Sequence, residues 1–396
     1  MLQNKKNNTV GNLLTSLAVF IKRSQAGAQI SANNKLFIFL RKSICLIYMN
    51  VAFIYNDIYR NSLFGENHPI TEKRISNVYD LSKIISFNNV KYYKSSIASV
   101  KQLSIFHEKD YIAALYQAEK KQKVSLENRK KFNIGTASNP IFKEMYRRHV
   151  VATGSLILGS NLILNKKFNY IFSPGSGAHH GKKNKASGFC YFNDIATCIL
   201  YLKKNNVKKI VYFDMDAHYG DGVMEYFKSS DDILAISIHQ KNLWPRNGDY
   251  FYKDNFISFP VDEGFNDTEF KDIFEKKIEM KIKQFKPEIA ILQMGADCLI
   301  DDHMSRLCLT NNAMRYIIEK FKNLSKNIIV MGGGGYNPWI TLRAWIYNLA
   351  TLANENSKLN LNSKGKNFLK NIKWKKKPKQ NWLNEITDLP NIFSLQ

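Results

Sequence analysis

Asp214-Met-Asp216-Ala-His218-Tyr-Gly220-Asp221-Gly222 follows directly on the apolar run Ile210-Val-Tyr-Phe213. The run reads as a buried strand. Alternate side chains of an extended chain point the same way, so Asp214, Asp216 and His218 share one face where the strand opens into a Gly-rich loop. Carboxylates and an imidazole at the carboxyl end of a parallel strand are the makings of a catalytic metal site in an open α/β sheet. Two oxygen donors and one nitrogen, with no thiolate, suit zinc or another divalent first-row metal that keeps a position open for water. Taken alone, the same residues would serve as a solvated Asp/His loop.

Working outward, short β-rich apolar runs alternate with longer amphipathic stretches. The strands expected are Val51–Tyr55, Tyr170–Ser173, Lys209–Asp214, Ile233–His239, Phe256–Pro260, Glu288–Met294 and Asn327–Met331. Between them helices are expected over Thr71–Ile85, Glu108–Gln122, Val151–Asn165, Asp194–Asn205, Thr268–Phe285, Asn311–Leu324 and Thr341–Asn354. This alternation predicts an α/β fold, a mostly parallel sheet with helices on both faces. Such crossovers put every strand's carboxyl end on one edge, where ligands bind.

The distinctive polar motifs each sit just past a predicted strand. After Ser173 comes Pro174-Gly-Ser-Gly177-Ala-His179-His180-Gly181, in which flanking glycines free the backbone to bring two imidazoles to one cavity. Gly188-Phe-Cys-Tyr-Phe-Asn193-Asp194 then opens a helix, with Asp194 as the expected N-cap and Phe189 as a core residue or pocket wall. After Met294 comes Gly295-Ala-Asp297-Cys298, whose Asp297 is a third ligand candidate or a helix cap. After Met331 comes Gly332-Gly-Gly-Gly335-Tyr336-Asn337-Pro338; no Lys-Ser/Thr follows, so it is not a P-loop. It reads as a loop passing close to a ligand and presenting the Tyr336 hydroxyl. Each motif is weak alone; four in this order point to one shared site.

Bulk composition sets limits. The 396 residues are 44% hydrophobic and 13% aromatic, which is a globular composition. Five cysteines without paired spacing fit a reducing, cytoplasmic setting and argue against a disulfide framework. The net charge of +25 could attract nucleic acid. Lys is spread along the chain together with abundant Asn, Ile, Phe and Tyr, so the charge reads as compositional bias and no nucleic-acid partner is expected. Its densest run is Lys375-Lys376-Lys377. Residues 1–48 hold no Asp or Glu and seven basic residues. They read first as a mis-called start ahead of Met49, then as a flexible extension, then as a targeting peptide. Their apolar runs are too short to span a membrane. The organisation expected is therefore an N-terminal extension over 1–48, one catalytic domain over 49–355 and a basic C-terminal segment over 356–396.

Together these residues resemble the zinc-dependent histone deacetylase family over roughly residues 50–355. The likeness runs through Phe53-Ile-Tyr-Asn56, His68-Pro-Ile-Thr-Glu-Lys-Arg74, Phe106-His107, Tyr111, Lys131-Phe-Asn-Ile-Gly135 and Asn139-Pro-Ile-Phe142. It continues through the motifs already quoted. Gly335-Tyr-Asn-Pro-Trp339 and Gly177-Ala-His-His-Gly181 look most like the bacterial acetoin-utilisation type. The resemblance implies an arginase-like sheet of eight parallel strands and removal of acetyl groups from lysine side chains. It implies zinc on Asp216, His218 and Asp297, His180 as general base and then acid, and His179 as its electrostatic partner. Asp214 would hold His179 and Asp221 would hold His180, with Tyr336 donating to the developing oxyanion. Phe189 and Trp244 would flank an acyl-lysine tunnel bordered by Gly188, Met304 and Gly334. Arg74 would lie by an inner cavity, and Asp214 with Ser237 would match a structural potassium site.

The chain departs from the family at three places. Trp244 stands where Phe is usual, and His303 where Pro is usual. Met304 is neutral where the polyamine-deacetylating branch carries an acid. The rim carboxylate that grips a peptide backbone has only Glu119 as a weak counterpart. Protein acetyl-lysine is thus the expected substrate and a small acetylated amine the alternative. A non-catalytic binding module would not need the full set of motifs, and a two-manganese arginase site would need carboxylates where the His pair and Tyr336 stand.

Overall fold

Runs such as Val51-Ala-Phe-Ile-Tyr55 and Ile289-Ala-Ile-Leu-Gln293 carry no polar alternation, and every residue in them is buried. That is the signature of strands covered on both faces. The computed structural model describes residues 51–61, 64–65, 68–70 and 73–389. The expectations for residues 1–48 fall outside the described residues.

Among the described residues nine strands form one sheet. In chain order they are β1 (Val51–Tyr55), β2 (Val90–Lys94), β3 (Tyr170–Ser173), β4 (Ile210–Asp214), β5 (Ile233–Gln240), β6 (Phe251–Lys253), β7 (Phe256–Val261), β8 (Ile289–Gln293) and β9 (Asn327–Met331). Their spatial order is β2-β1-β3-β9-β8-β4-β5-β7-β6. All neighbours pair parallel except β6, which runs antiparallel on β7. The expected parallel sheet of eight strands is therefore present, with β6 added at one edge. β2 and β6 were not expected from sequence.

The order places β3, β9, β8 and β4 side by side at the centre. These are the four strands that carry the His-pair, Gly-Tyr, Gly-Ala-Asp and Asp-x-Asp-x-His motifs. Parallel pairing aligns their carboxyl ends, so the register itself delivers four motifs to one edge.

Helices pack on both faces. They include α1 (Arg74–Ile85), α2 (Val100–Leu103), α3 (Lys109–Lys121), α4 (Leu126–Phe132), α5 (Met145–Leu164), α6 (Asp194–Lys204), α7 (Asp221–Phe227) and α8 (Asp267–Ile273). The expected single helix Thr268–Phe285 is broken: α8 passes through a π turn at Phe274–Ile278 into α9 (Glu279–Phe285). Then come α10 (Asn311–Leu324), α11 (Pro338–Ala353) and α12 (Ser363–Lys370).

α11 shows how the motif loops join the core. Asn337 caps it, its side chain accepting from Trp339 N and Ile340 N, and Pro338 takes the first helical position. All sixteen residues of α11 are buried. Part of its cover comes from the C-terminal segment set apart by sequence at residue 356. Trp339 Nε1 donates to Leu369 O at 2.9 Å, and buried Arg343 reaches Glu385 O, Thr387 O and the Asp388 carboxylate. Residues 356–389 thus lie on the helix that follows the Gly-Tyr loop.

Candidate active site

The site grows out of the ends of β4 and β8. Asp214, the last residue of β4, is fully buried and does not face a cavity. Its Oδ2 accepts from the Tyr212 hydroxyl at 2.5 Å and from His179 Nδ1 at 2.8 Å, and its Oδ1 accepts from Asp216 N. Two residues on, Asp216 Oδ2 accepts from Gln293 Nε2 at 2.9 Å and Gly334 N at 2.8 Å. From β8's end, Asp297 Oδ1 accepts from Ala217 N at 3.0 Å. His218 Nδ1 lies 3.1 Å from Asp216 Oδ1 and 3.0 Å from Asp297 Oδ2.

Asp216, His218 and Asp297 therefore present one ligand atom each within 4.8 Å of one another, and all three are buried. Among the described residues this is the one such group. Burial and the neighbouring Asp216 push the Asp297 carboxyl up to about 7. Asp216 is held well below its usual range because His179, His218 and Gln293 outweigh its burial. Like charge pressed together in a dry site is what a divalent cation relieves, and this donor set suits zinc. The backbone leaves room for nothing else. A Cβ on Gly295 would lie 2.0 Å from Asp216 Oδ2, and one on Gly334 2.0 Å from Asp297 Oδ2.

The loop after β3 supplies the histidines. Their ring centroids are 4.0 Å apart. His180 Nδ1 pairs with Asp221 Oδ1 at 2.8 Å, while Asp221 Oδ2 takes Lys182 Nζ at 2.5 Å. Burial drives His180 down to about 3, and its neighbour His179 adds to this. Burial would also lower His179, but Asp214 and Asp216 outweigh it and hold it up at about 9. The two rings are thus pushed in opposite directions, His179 toward the imidazolium and His180 toward the neutral imidazole.

Asp194 does not cap α6 as expected. Asn193 does, accepting from Ala196 N. The Asp194 carboxylate turns back to accept from Gly177 N and Ala178 N, so it anchors the histidine loop; burial raises it to about 6. His107 has a similar positioning role. It accepts from Asn193 N and lies 3.0 Å from Lys183 O, bridging the two ends of the loop that carries Gly188 and Phe189.

Tyr336 lines a cleft together with His179, His180, Asp216, His218, Gly188, Phe189 and Gly334. Burial raises its hydroxyl well above the usual range, so it stays a proton donor. Asp302 sets its backbone, with Oδ2 accepting from Tyr336 N at 2.6 Å and Asn337 N at 3.0 Å while Oδ1 accepts from Met304 N. Arg74 reaches Gly335 O at 2.7 Å at the cleft's inner end. Trp244 stacks edge-on to His180, with ring centroids 4.6 Å apart, and is 44% exposed at the mouth. Met304 is half-buried beside the mouth and is not part of the cleft lining.

Glu119 is not at the rim. Its carboxylate accepts from Tyr146 N and Arg147 N and pairs with Arg147 Nε, which caps the start of α5 from a neighbouring helix. Among the described residues, the carboxylates that do line the cleft are Asp194 and Asp216, both at its floor. Sequence reasoning also passed over Gln293, fully buried, which bonds Asp216 Oδ2 and accepts from Gly295 N. Its position as the last residue of an otherwise apolar strand was the available signal.

A histone deacetylase domain matches residues 68–352. The chain belongs to the histone deacetylase family. Among relatives of this deacetylase, the acetoin utilization protein AcuC of Bacillus subtilis is 30% identical over 309 residues, covering 74% of this chain and 80% of that one. Histone deacetylase 1 of Homo sapiens is 27% identical over 312 residues, 76% of this chain and 64% of the human one. The crystal structure of a histone deacetylase homologue from Aquifex aeolicus superposes with a TM-score of 0.79 at 32% identity, covering 86% of this chain and 95% of that one. The family is zinc-dependent, and the chain is a hydrolase of its deacetylase class. No helix among the described residues is long and apolar enough to cross a membrane.

Proposed function

We propose that this deacetylase hydrolyses the acetyl amide of lysine side chains in proteins, with Asp216, His218 and Asp297 as its zinc ligands. The observation that carries the reading is the convergence of this buried donor group with the unlike His179/His180 pair and the Tyr336 hydroxyl on one cleft. When bound, zinc supplies Lewis-acid polarisation of the acyl carbonyl and acidifies water.

The protein's own groups do the rest. His180, neutral and oriented through Nδ1 by Asp221, takes a proton from the attacking water and returns it to the leaving amine. His179, held cationic by Asp214, adds positive charge where the tetrahedral oxyanion forms. Tyr336 donates to that oxygen as charge develops, a contribution worth about 3 kcal/mol per donor in comparable sites. Phe189 and Trp244 wall the acyl-lysine stem, with Gly188 and Gly334 letting it pass close to the backbone. Asp214 and Ser237, register partners on β4 and β5, are the place for a structural potassium. The free cysteines Cys190, Cys198 and Cys298, all buried, fit a cytoplasmic protein.

Protein lysine is favoured over small acetylated amines because, among the described residues, the cleft lining offers no carboxylate at the mouth for a second ammonium group. Met304 is neutral, and the lining carboxylates lie at the floor. The test is activity of the purified protein, with metal analysis, on an acetyl-lysine peptide and acetylated polyamines side by side. Higher kcat/KM on the peptide and about one zinc per chain are expected. Preference for the polyamine would overturn the substrate, and activity without any divalent metal would overturn the ligand set.

A further inference from the structure

The C-terminal segment after α12 returns to the mouth of the cleft. Trp374 packs between Trp339, at a ring distance of 6.2 Å, and His303, at 5.8 Å. His303 in turn lies 6.1 Å from the ring of Tyr336. Lys379 Nζ meets Asp301 Oδ2 at 2.6 Å, which ties the far end of the segment to the same turn. Between these two anchors stand Lys375, Lys376 and Lys377, with Lys373 just before; all are exposed. Lys376 Nζ lies 5.7 Å from the Trp374 ring.

The surroundings do not neutralise this charge. Asp301 is engaged by Lys379, and the buried Asp302 is engaged by three backbone amides. Asp388 pairs with Arg343, and Glu263 with Arg306. Among the described residues no carboxylate pairs with Lys373, Lys375, Lys376 or Lys377. Lys375 and Lys376 are close enough to act on His303, whose ring sits below its usual range through burial, with these two lysines adding to the shift against Asp302. Among the described residues, ammonium groups without acidic partners thus stand at this side of the mouth.

We propose that Lys373–Lys379, docked through Trp374 on His303, forms a basic collar at the cleft mouth that selects acetyl-lysine sites flanked by acidic residues. This rests on the protein-lysine reading above. The collar is short, and it borders a cleft that takes one acylated side chain, so an acidic peptide segment fits it and an extended nucleic-acid track does not. Exposed charges act over about one Debye length, ~8 Å at physiological salt, so the preference is modest and salt-sensitive.

The experiment uses the full chain and two acetyl-lysine peptides of equal length, one flanked by Asp and Glu, the other by Ser and Gly. The quantity read is the acidic-to-neutral ratio of kcat/KM. About tenfold is expected at low ionic strength, falling toward one as salt shortens the screening length. The triple variant K375E/K376E/K377E should bring the ratio to one or below. It loses no ion pair, so its unfolding midpoint should match the wild type. Trp374→Ala keeps every lysine and releases the anchor, and should also lower the ratio.

A wild-type ratio near one, or a ratio unmoved in both variants, overturns the collar. If neither peptide is hydrolysed, the protein-lysine reading fails. The collar is then judged by fluorescence anisotropy of the same labelled peptides. Tighter binding of the acidic peptide, lost in the triple variant, sustains it, and equal binding of the two peptides overturns it. A single-stranded oligonucleotide that binds more tightly than the acidic peptide and is released by the same substitutions also overturns it, in favour of a nucleic-acid surface.

Discussion

The floor and the rim of the cleft are built on opposite plans. At the floor Asp214, Asp216, Asp297, His179, His180 and His218 are each no more than 7% exposed. Every carboxylate oxygen there meets a backbone amide or a named side chain. At the rim Trp244 is 44% exposed, and among the described residues Lys373, Lys375, Lys376 and Lys377 face solvent without acidic partners. A buried charged group left unpaired costs several kcal/mol, whereas an exposed one costs little. The floor can therefore vary almost nowhere, and it fixes the reaction. The rim is free to vary, and it borders the path by which a substrate enters.

The sharpest way to break this contrast is to disturb the floor. Asp297→Asn should lose most bound metal and lower kcat/KM by ~10³-fold or more; stoichiometric zinc with full activity would remove Asp297 from the ligand set. His180→Ala should be comparable, ~10³-fold in kcat, since no other group in the cleft is placed to take the proton. Tyr336→Phe should keep metal and substrate binding and lower kcat by ~100-fold. A change in KM alone would make Tyr336 a binding residue.

Asp194→Ala sharpens the comparison, because Asp194 is not a proposed metal ligand and acts by holding the histidine loop. It leaves the Gly177 and Ala178 amides unpaired beneath the His loop, so about 2 kcal/mol of stability should be lost and kcat should fall with it. An unchanged unfolding midpoint would show that the loop holds itself.

A further expected effect is a dependence on pH. Burial holds His107 and His149 down at about 3, well below the ~6.5 of an unfolded histidine. The unfolded chain therefore binds the extra protons. The stability these rings allow is complete above ~6.5 and drains as pH falls toward 3, about 2 kcal/mol each by pH 5. Denaturant unfolding at pH 7 and pH 5 measures it. Replacing His107 by Gln should flatten the slope even where it lowers the plateau.

The contrast also explains what could be read from the chain. Strands β1, β3, β4, β5, β7, β8 and β9 are continuous apolar runs and were legible to within two residues. Edge strand β2, Val-Lys-Tyr-Tyr-Lys, has no buried residue, and β6 is three residues long, so neither carries a hydrophobic signal. The π turn at Phe274 leaves no mark in composition. At the site, residues of one local motif were found together, because spacing and strand period place them. Asp194 was misread as a cap because its partners lie sixteen and seventeen residues upstream, and Asn193 beside it caps equally well. The approach of Trp374 to His303 joins segments 71 residues apart (374 − 303) and has no local trace. Glu119, whose partners lie 27 and 28 residues away, failed as a rim residue for the same reason.

Asp302 belongs to both plans. One carboxylate oxygen holds the amide of Met304, in the turn that bears His303, and the other holds the amides of Tyr336 and Asn337. The turn at the entrance and Tyr336 thus hang from a single side chain. Pressure on that turn would reach the same carboxylate that fixes the Tyr336 amide, so the turn and the tyrosine share one mechanical joint. Selection acting on the visitors this enzyme admits acts, through that joint, on how fast it turns them over.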